Sequence, residues 1–288
     1  MEGLTGASRS TLRSRRAGLI LGAAGAAALG VAGWGWFEAG WVRLRTLAVP
    51  VAGLPEELRG LRIAHLSDFH LGVHGRGGRS SARAVEWAAG RRPDLVVVSG
   101  DLLTRPSGEP LLRDLIERLP NCYAILGNHD FAISRDPGAR RSYLDELAPA
   151  TLLSDNGVFR ELRGRRIYVA GSDPRSRFVR SRPRARELAV GRDEADLRIL
   201  LCHYPFQVDT LPPGAFDLVL AGHMHDGQIC VPYPGGKLRL AHPGARYSNG
   251  VYLKPAGTLH VSPGLGTTFV PFRLFSRPEA TELVLEPA

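Results

Sequence analysis

Residues Phe216–Gln228 read FDLVLAGHMHDGQ: an apolar run that opens onto two histidines, His223 and His225, one residue apart. In extended backbone, side chains at i and i+2 point to the same side, so the two imidazoles stand together at the end of a strand. Neutral imidazole is the commonest protein metal ligand. The same construction, an apolar run closed by Asp, His or Asn, recurs upstream. LRIAHLSDFH ends in Asp68 and His70, DLVVVSGD in Asp101, CYAILGNHD in Asn128, His129 and Asp130, and LRILLCHYP carries His203. In α/β sheets, ligands bind beyond the carboxyl ends of the strands. Clusters this far apart in sequence can therefore meet in one crevice.

Between these runs, SSARAVEWAAGRR has helical spacing and stops before Pro93, and EPLLRDLIERL is amphipathic. RSYLDELA predicts a further short helix over 141–148. Helices alternate with strands early, and strands dominate late. That pattern predicts an α/β fold, a four-layer α/β/β/α sandwich of two mixed sheets. The chain has 288 residues, 44% of them hydrophobic, enough for a sizeable core. Cys122, Cys202 and Cys230 form no C-x-x-C pair and do not read as a disulfide framework.

The N-terminus is a separate object. Arg9, Arg13, Arg15 and Arg16 precede AGLILGAAGAAALGVAGWGWF, an uncharged stretch from Ala17 to Phe37. About 20 apolar residues suffice to cross a bilayer as a helix. Trp34, Trp36 and Trp41 cluster at its far end like an interfacial aromatic belt. The arginines in front predict a cytoplasmic N-terminus, with the remainder on the outer, extracytoplasmic side of the cytoplasmic membrane. SRRAGLI also resembles a twin-arginine export signal, although no clear A-x-A cleavage site follows the apolar run. An uncleaved anchor is the expected form, and a buried soluble helix is the competing one. The domain reading is 1–40 for the basic region and anchor, 41–60 for a linker and incoming strand, and 61–288 for the main domain. The net charge of +9, nearly all arginine, suits phosphate-bearing partners or an anionic membrane.

The ordered set D-x-H, G-D, G-N-H-D, a lone His and G-H-x-H, from Asp68 to His225, resembles the calcineurin-like metallophosphoesterase superfamily. The tail segments VSPGLGTTFVPFRLF and RPEATELVL are similar to its bacterial membrane-associated phosphodiesterase branch. The resemblance implies two divalent metal ions (Mn, Fe or Zn) about 3.5–4 Å apart. In that pattern Asp101 bridges the two. Asp68, His70 and His225 complete one shell, and Asn128, His203 and His223 complete the other. A hydroxide held between the metals is the implied nucleophile. His129 stands outside the shells as acid or transition-state stabiliser, and Asp130 orients it or caps a turn. Imidazole, amide oxygen and carboxylate suit these metals, and the absence of thiolates disfavours a structural zinc site.

The chain departs from the branch at Asp226, where glycine is usual. The extra carboxylate there tunes the site or faces solvent. His65 reads as packing. His74, Arg76 and Arg79 lie on a loop that could reach a phosphate, and His242 and His260 have no evident partner.

These readings lead to a membrane-anchored phosphoesterase acting on a phosphodiester, with a lipid-linked substrate possible at the membrane surface. One alternative is a lipid-linked nucleotide pyrophosphatase of the UDP-diacylglucosamine type. Another is a non-catalytic basic membrane protein binding anionic polymer. Nucleic acid is disfavoured, because no basic stripe with interleaved aromatics stands out, and no obligate protein partner is inferred.

Overall fold

Along Leu95–Ser99 the side chains alternate between two cores. Leu95 and Val97 enter one that lies between two sheets, while Val96 and Val98 enter one that lies under two helices. The period of two along a buried strand makes it part of a layered structure. A computed structural model describes residues 6–177 and 184–288, with side chains from residue 18 onward.

In chain order the elements are α1 (Gly6–Ala39), β1 (Arg43–Val51), β2 (Arg62–Leu66), α2 (Gly77–Arg91), β3 (Leu95–Ser99), α3 (Glu109–Glu117), β4 (Cys122–Ile125), β5 (Thr151–Leu152), β6 (Asn156–Leu162) and β7 (Arg165–Ser172). They continue with β8 (Leu197–Cys202), β9 (Leu218–Ala221), β10 (Cys230–Tyr233), β11 (Gly236–Arg239), β12 (Gly250–Lys254), β13 (Gly257–Val261) and β14 (Glu279–Pro287). One six-stranded sheet runs β1-β14-β2-β3-β4-β5, the other β12-β13-β9-β8-β7-β6, and β10-β11 form a separate hairpin. Both sheets are mixed. β2, β3, β4 and β5 are parallel neighbours, as are β7, β8, β9 and β13, with antiparallel pairings towards the edges.

Ile63, Val97 and Ile125 of the first sheet meet Val169, Ile199, Leu201 and Leu220 of the second, all fully buried. The outer face of the first sheet packs on Ala84, Val85 and Ala88 of α2 and Leu112, Leu115 and Ile116 of α3. The outer face of the second is covered more thinly. Among the described residues, 3-10 turns at Ala185–Leu188 and Pro205–Thr210 supply Leu188 and Val208. The sandwich is thus the expected α/β/β/α order, with short turns in place of long helices in the fourth layer.

Two sequence expectations are corrected. No helix forms over 141–148. The Ser142 N–H donates to the Asp130 carbonyl (2.8 Å), and Leu144 and Leu147 bury themselves singly, so tertiary tethering overrides the helical spacing. His260 does have a partner: its Nδ1 lies 2.7 Å from Nδ1 of His65, whose Nε2 meets Ser99 Oγ at 2.8 Å, a polar bridge between the two sheets. The three cysteines are free and buried.

The α1 segment Gly18–Ala39 is the one described stretch long and apolar enough to cross a membrane, at 22 residues and mean hydropathy 1.5. Leu19, Ile20, Leu21 and Leu29 are exposed along it, unlike the buried stripe of a core helix. The side chains of Arg9, Arg13, Arg15 and Arg16, including the twin-arginine pair, lie outside the described residues.

Candidate metal centre

The parallel strands of both sheets end on the same side, and each end delivers polar groups. Asp68 and His70 follow β2, Asp101 follows β3, Asn128 and His129 follow β4, His203 follows β8, and His223 and His225 follow β9. The backbone bends sharply as each strand stops. Asp68, His70, Asp101, His223 and His225 all have φ between +48° and +71°. L-residues avoid this region, and such strain clusters at functional sites. Close approach also demands glycine. A Cβ at Gly100 (φ +97°) would stand 2.7 Å from His203 Nδ1, and one at Gly222 would collide with the Asp68 carboxylate.

The donors converge in three overlapping groups: Asp68, His70 and His225; His70, Asp101 and His129; Asp101, His203 and His223. The His70 and His225 Nε2 atoms face each other at 3.0 Å, and His223 Nδ1 faces His203 Nε2 at 3.2 Å. His70 Nε2 lies 3.5 Å from Asp101 Oδ2, and His225 Nε2 lies 3.5 Å from Asp68 Oδ1. The Asp68 carboxylate accepts the His223 N–H at 3.1 Å. Asn128 completes the set through Oδ1, 2.9 Å from His203 Nε2.

This donor set fits cations. His203 Nδ1 must donate to the Ser99 carbonyl (3.0 Å), which only accepts. Its Nε2 then faces two further acceptors, Asn128 Oδ1 and Asp101 Oδ2 (3.2 Å), and positive charge is needed between them. In the protein alone a proton supplies it. Burial lowers the His203 pKa, but the Asp101 charge and hydrogen bond outweigh burial and raise it to about 9. Burial, then neighbouring imidazoles, hold His70, His223 and His225 well below the ordinary histidine range, so they are neutral and present lone pairs. Burial and the nearby Asp101 charge raise Asp68 to about 7, against the pull of His203. Asp101 stays ionised despite burial, held well below the carboxylate range by the charges of His203 and His129 and the hydrogen bond to His203. Buried carboxylates beside neutral imidazoles are short of positive charge, which divalent cations restore.

His129 edges against the His70 ring at 4.5 Å, and its backbone N–H donates to Asp101 Oδ1 at 2.8 Å. Its Nε2 meets Ser134 Oγ at 2.8 Å, while Nδ1 is buried without a hydrogen-bond partner. Of the two roles expected of Asp130, it does not hold the His129 ring and instead caps the turn. Its carboxylate accepts the N–H groups of Gly127 (2.8 Å), Leu102 (3.1 Å) and Leu103 (2.8 Å), locking the β3 and β4 tips together. Burial and the Asp101 charge raise Asp130 to about 7, opposed by those three donors.

Asp226 does not face solvent. It is buried, with φ +51°, and its carboxylate takes the Lys237 ammonium, Arg239 Nε (3.2 Å) and Asn249 Nδ2 (3.4 Å). It therefore fastens the β10–β11 hairpin beside His225 and leaves the donor cluster alone. A cleft of about 600 Å³ lies over the donors, with Asp101, Asn128, His129 and His223 in its floor and Leu240 and Phe269 in its apolar wall. His74, Arg76 and Arg79 do not line it.

Sequence reasoning missed the groups behind the donors. Thr104 Oγ1 meets His70 Nδ1 at 2.9 Å. Arg273, fully buried, donates Nη2 to His225 Nδ1 at 3.1 Å and spends its other donors on the carbonyls of Gly266, Pro263 and Ser276. Such partners set the orientation of a liganding imidazole. An arginine inside the apolar stretch FVPFRLF was the available signal for Arg273, and Thr104 had none.

The family model for calcineurin-like phosphoesterase matches residues 61–227. A transmembrane protein with metallophosphoesterase domain from Danio rerio is 33% identical over 83% of this chain and 56% of its own length, so the chain spans little more than half of that relative. The uncharacterized metallophosphoesterase YkoQ of Bacillus subtilis (strain 168) is 26% identical over 83% of this chain and 89% of its own. Phosphodiesterase YaeI of Escherichia coli (strain K12) is 26% identical over 68% of this chain and 71% of its own.

Proposed function

The chain belongs to the calcineurin-like phosphoesterase family, hydrolases acting on phosphoester bonds, and on that premise we propose that it hydrolyses a phosphodiester with the help of two divalent cations. The observation that carries the reading is the meeting of Asp68, His70, Asp101, Asn128, His203, His223 and His225, from the tips of two sheets, in one cluster of which Asp101, Asn128, His223 and His225 line the cleft. In the proposed arrangement Asp101 would serve both cations, Asp68, His70 and His225 would hold one, and Asn128, His203 and His223 would hold the other. When bound, the cations supply water activation at neutral pH and offset charge on the phosphoryl oxygens.

The chain's own residues do the remainder. Arg273 and Thr104 fix the His225 and His70 rings, and Asp130 keeps the loops after β3 and β4 in register. His129 lines the cleft with its Nε2 held by Ser134, and it is the proposed donor of a proton to the departing oxygen. A general acid so placed contributes about 10²–10⁴-fold.

In this reading α1 anchors the enzyme, and the arginines before it put the cleft on the extracytoplasmic side. A lipid-linked phosphodiester is the finer substrate class. The apolar wall of the cleft and the arginine-rich balance support it.

The test is turnover of bis(p-nitrophenyl) phosphate and p-nitrophenyl phosphate by full-length protein after chelation and after resupply of Mn²⁺, Fe²⁺ or Zn²⁺. Metal-restored turnover that favours the diester is expected. Undiminished turnover in fully chelated protein would refute the metal reading, and preference for the monoester would refute the diester one.

A further inference from the structure

The β10–β11 hairpin presents a face that nothing in the described chain covers. Its register pairs Val231 with Leu238, and Tyr233 lies two residues beyond Val231, so these three side chains share one side. They are 50%, 50% and 58% exposed. The other side carries Lys237 and Arg239, both turned to Asp226. A small hairpin with charges inward and apolar groups outward reverses the usual arrangement for water, and so marks a contact surface.

Connectivity identifies what the surface meets. The hairpin is hydrogen-bonded to the strap Phe272–Ser276: Cys230 N–H to the Leu274 carbonyl (2.9 Å) and the Lys237 ammonium to the Phe275 carbonyl (3.0 Å). That strap is bonded in turn to the end of α1. Arg273 N–H donates to the Gly35 carbonyl (3.0 Å), and the N–H groups of Phe275 and Ser276 donate to the Glu38 carboxylate (3.0 and 2.7 Å). Gly35 and Glu38 lie within about 6 Å of the helix end along the axis. The strap is therefore fixed where the apolar span leaves the hydrocarbon. Trp34, Phe37 and Trp41 are in ring contact there, and the Arg277 guanidinium stacks on Trp41 at 3.7 Å, a pairing suited to the headgroup layer. Phe269 and Phe275 are exposed on the same strap region, and Phe269 also lines the cleft.

We propose that Val231, Tyr233, Leu238, Phe269 and Phe275 form a lipid-contact surface seated in the bilayer that α1 crosses, so that the cleft mouth opens towards lipid. This rests on the anchored phosphodiesterase reading and narrows its substrate class. An amphiphilic phosphoester enters from the membrane, its chain along Phe269 and Leu240 and its phosphorus towards Asp101 and His129.

The experiment uses full-length protein in phosphatidylcholine–phosphatidylglycerol vesicles, with a fluorophore on Leu238→Cys or, as control, on Leu253→Cys. Leu253 is 71% exposed on β12, paired with the start of β13 and so at the end of the sheet away from the cleft. The native cysteines are buried and do not compete for label. Doxyl-labelled lipid is expected to quench the probe at 238 and not at 253. Equal aqueous exposure at both positions would overturn the proposal. Self-quenching at 238 that grows with protein density, without lipid quenching, would overturn it in favour of a second copy. This readout is independent of turnover, so an inactive protein quenched at 238 would sink the catalytic reading and not the surface. In a second arm, V231D/L238D is expected to lower turnover of a vesicle-embedded phospholipid diester about tenfold and leave bis(p-nitrophenyl) phosphate unchanged. Equal losses on both substrates would contradict a lipid-contact role.

Discussion

The two sheets bring different chemistry to the same cleft. The tips of β2, β3 and β4 carry the carboxylates of Asp68 and Asp101, the Asn128 amide and two imidazoles. The tips of β8 and β9 carry imidazoles alone, His203, His223 and His225, because the nearby carboxylate of Asp226 is committed to Lys237 and Arg239. One sheet supplies the negative charge that would hold a cation, and the other supplies imidazoles that would complete its shell, His223 and His225 already neutral and His203 on giving up its proton. The first sheet alone brings together His70, Asp101 and His129, but the other two donor groups need both sheets. The inter-sheet core around Val97, Ile199 and Leu201 is therefore part of the metal centre as much as the donors are.

The sharpest way to break this contrast is Asp101→Asn, which removes the charge nearest to both halves. Bound metal and phosphodiester turnover are expected to vanish together, read by elemental analysis beside a chromogenic assay, in protein that keeps its circular dichroism. Retained metal would mean that the charge comes from elsewhere.

His129 belongs to the first sheet's tips by position and to neither shell by proposed role. His129→Ala should cost about 10²–10⁴-fold in kcat with metal content unchanged. Loss of metal instead would make His129 a ligand, an outcome its nearness to His70 and Asp101 makes worth measuring.

A gentler change lies behind the ligands. Thr104→Val takes away the oxygen that meets His70 Nδ1 and should weaken metal affinity about 10–100-fold, seen as activity recovered in excess cation.

The smallest expected effect on chemistry comes from Leu201→Ala in the inter-sheet core. Stability should fall by about 2–5 kcal/mol in denaturant unfolding, and metal affinity should fall with it although no donor is touched. Unchanged affinity in the folded variant would show that the two sets of tips hold their spacing without that core.

The donors were legible in the sequence because each apolar run stops at its own chemistry, and strand ends in such sheets converge. The sandwich was legible for a related reason: β3 and β9 are continuous apolar runs and β8 is broken only by Arg198, as suits strands buried on both faces. Long-range pairings left no local trace. Asp130 sits in Asn-His-Asp, where nothing reveals that its carboxylate reaches the backbone of Leu102 and Leu103. His65 and His260 find each other only once the sheets stack. The segment 141–148 has helical spacing, yet one bond from Ser142 to Asp130 and two separately buried leucines hold it irregular. Arg273 was one arginine among many until its burial behind His225 distinguished it.

The most direct test of two cations gripped between two sheets is anomalous diffraction from crystals of the full-length protein grown with Mn²⁺ or Zn²⁺. Two peaks about 3.5–4 Å apart are expected, with the Asp101 carboxylate between them and imidazoles of both sheets around them. A single peak, or peaks bound by the tips of one sheet alone, would contradict it.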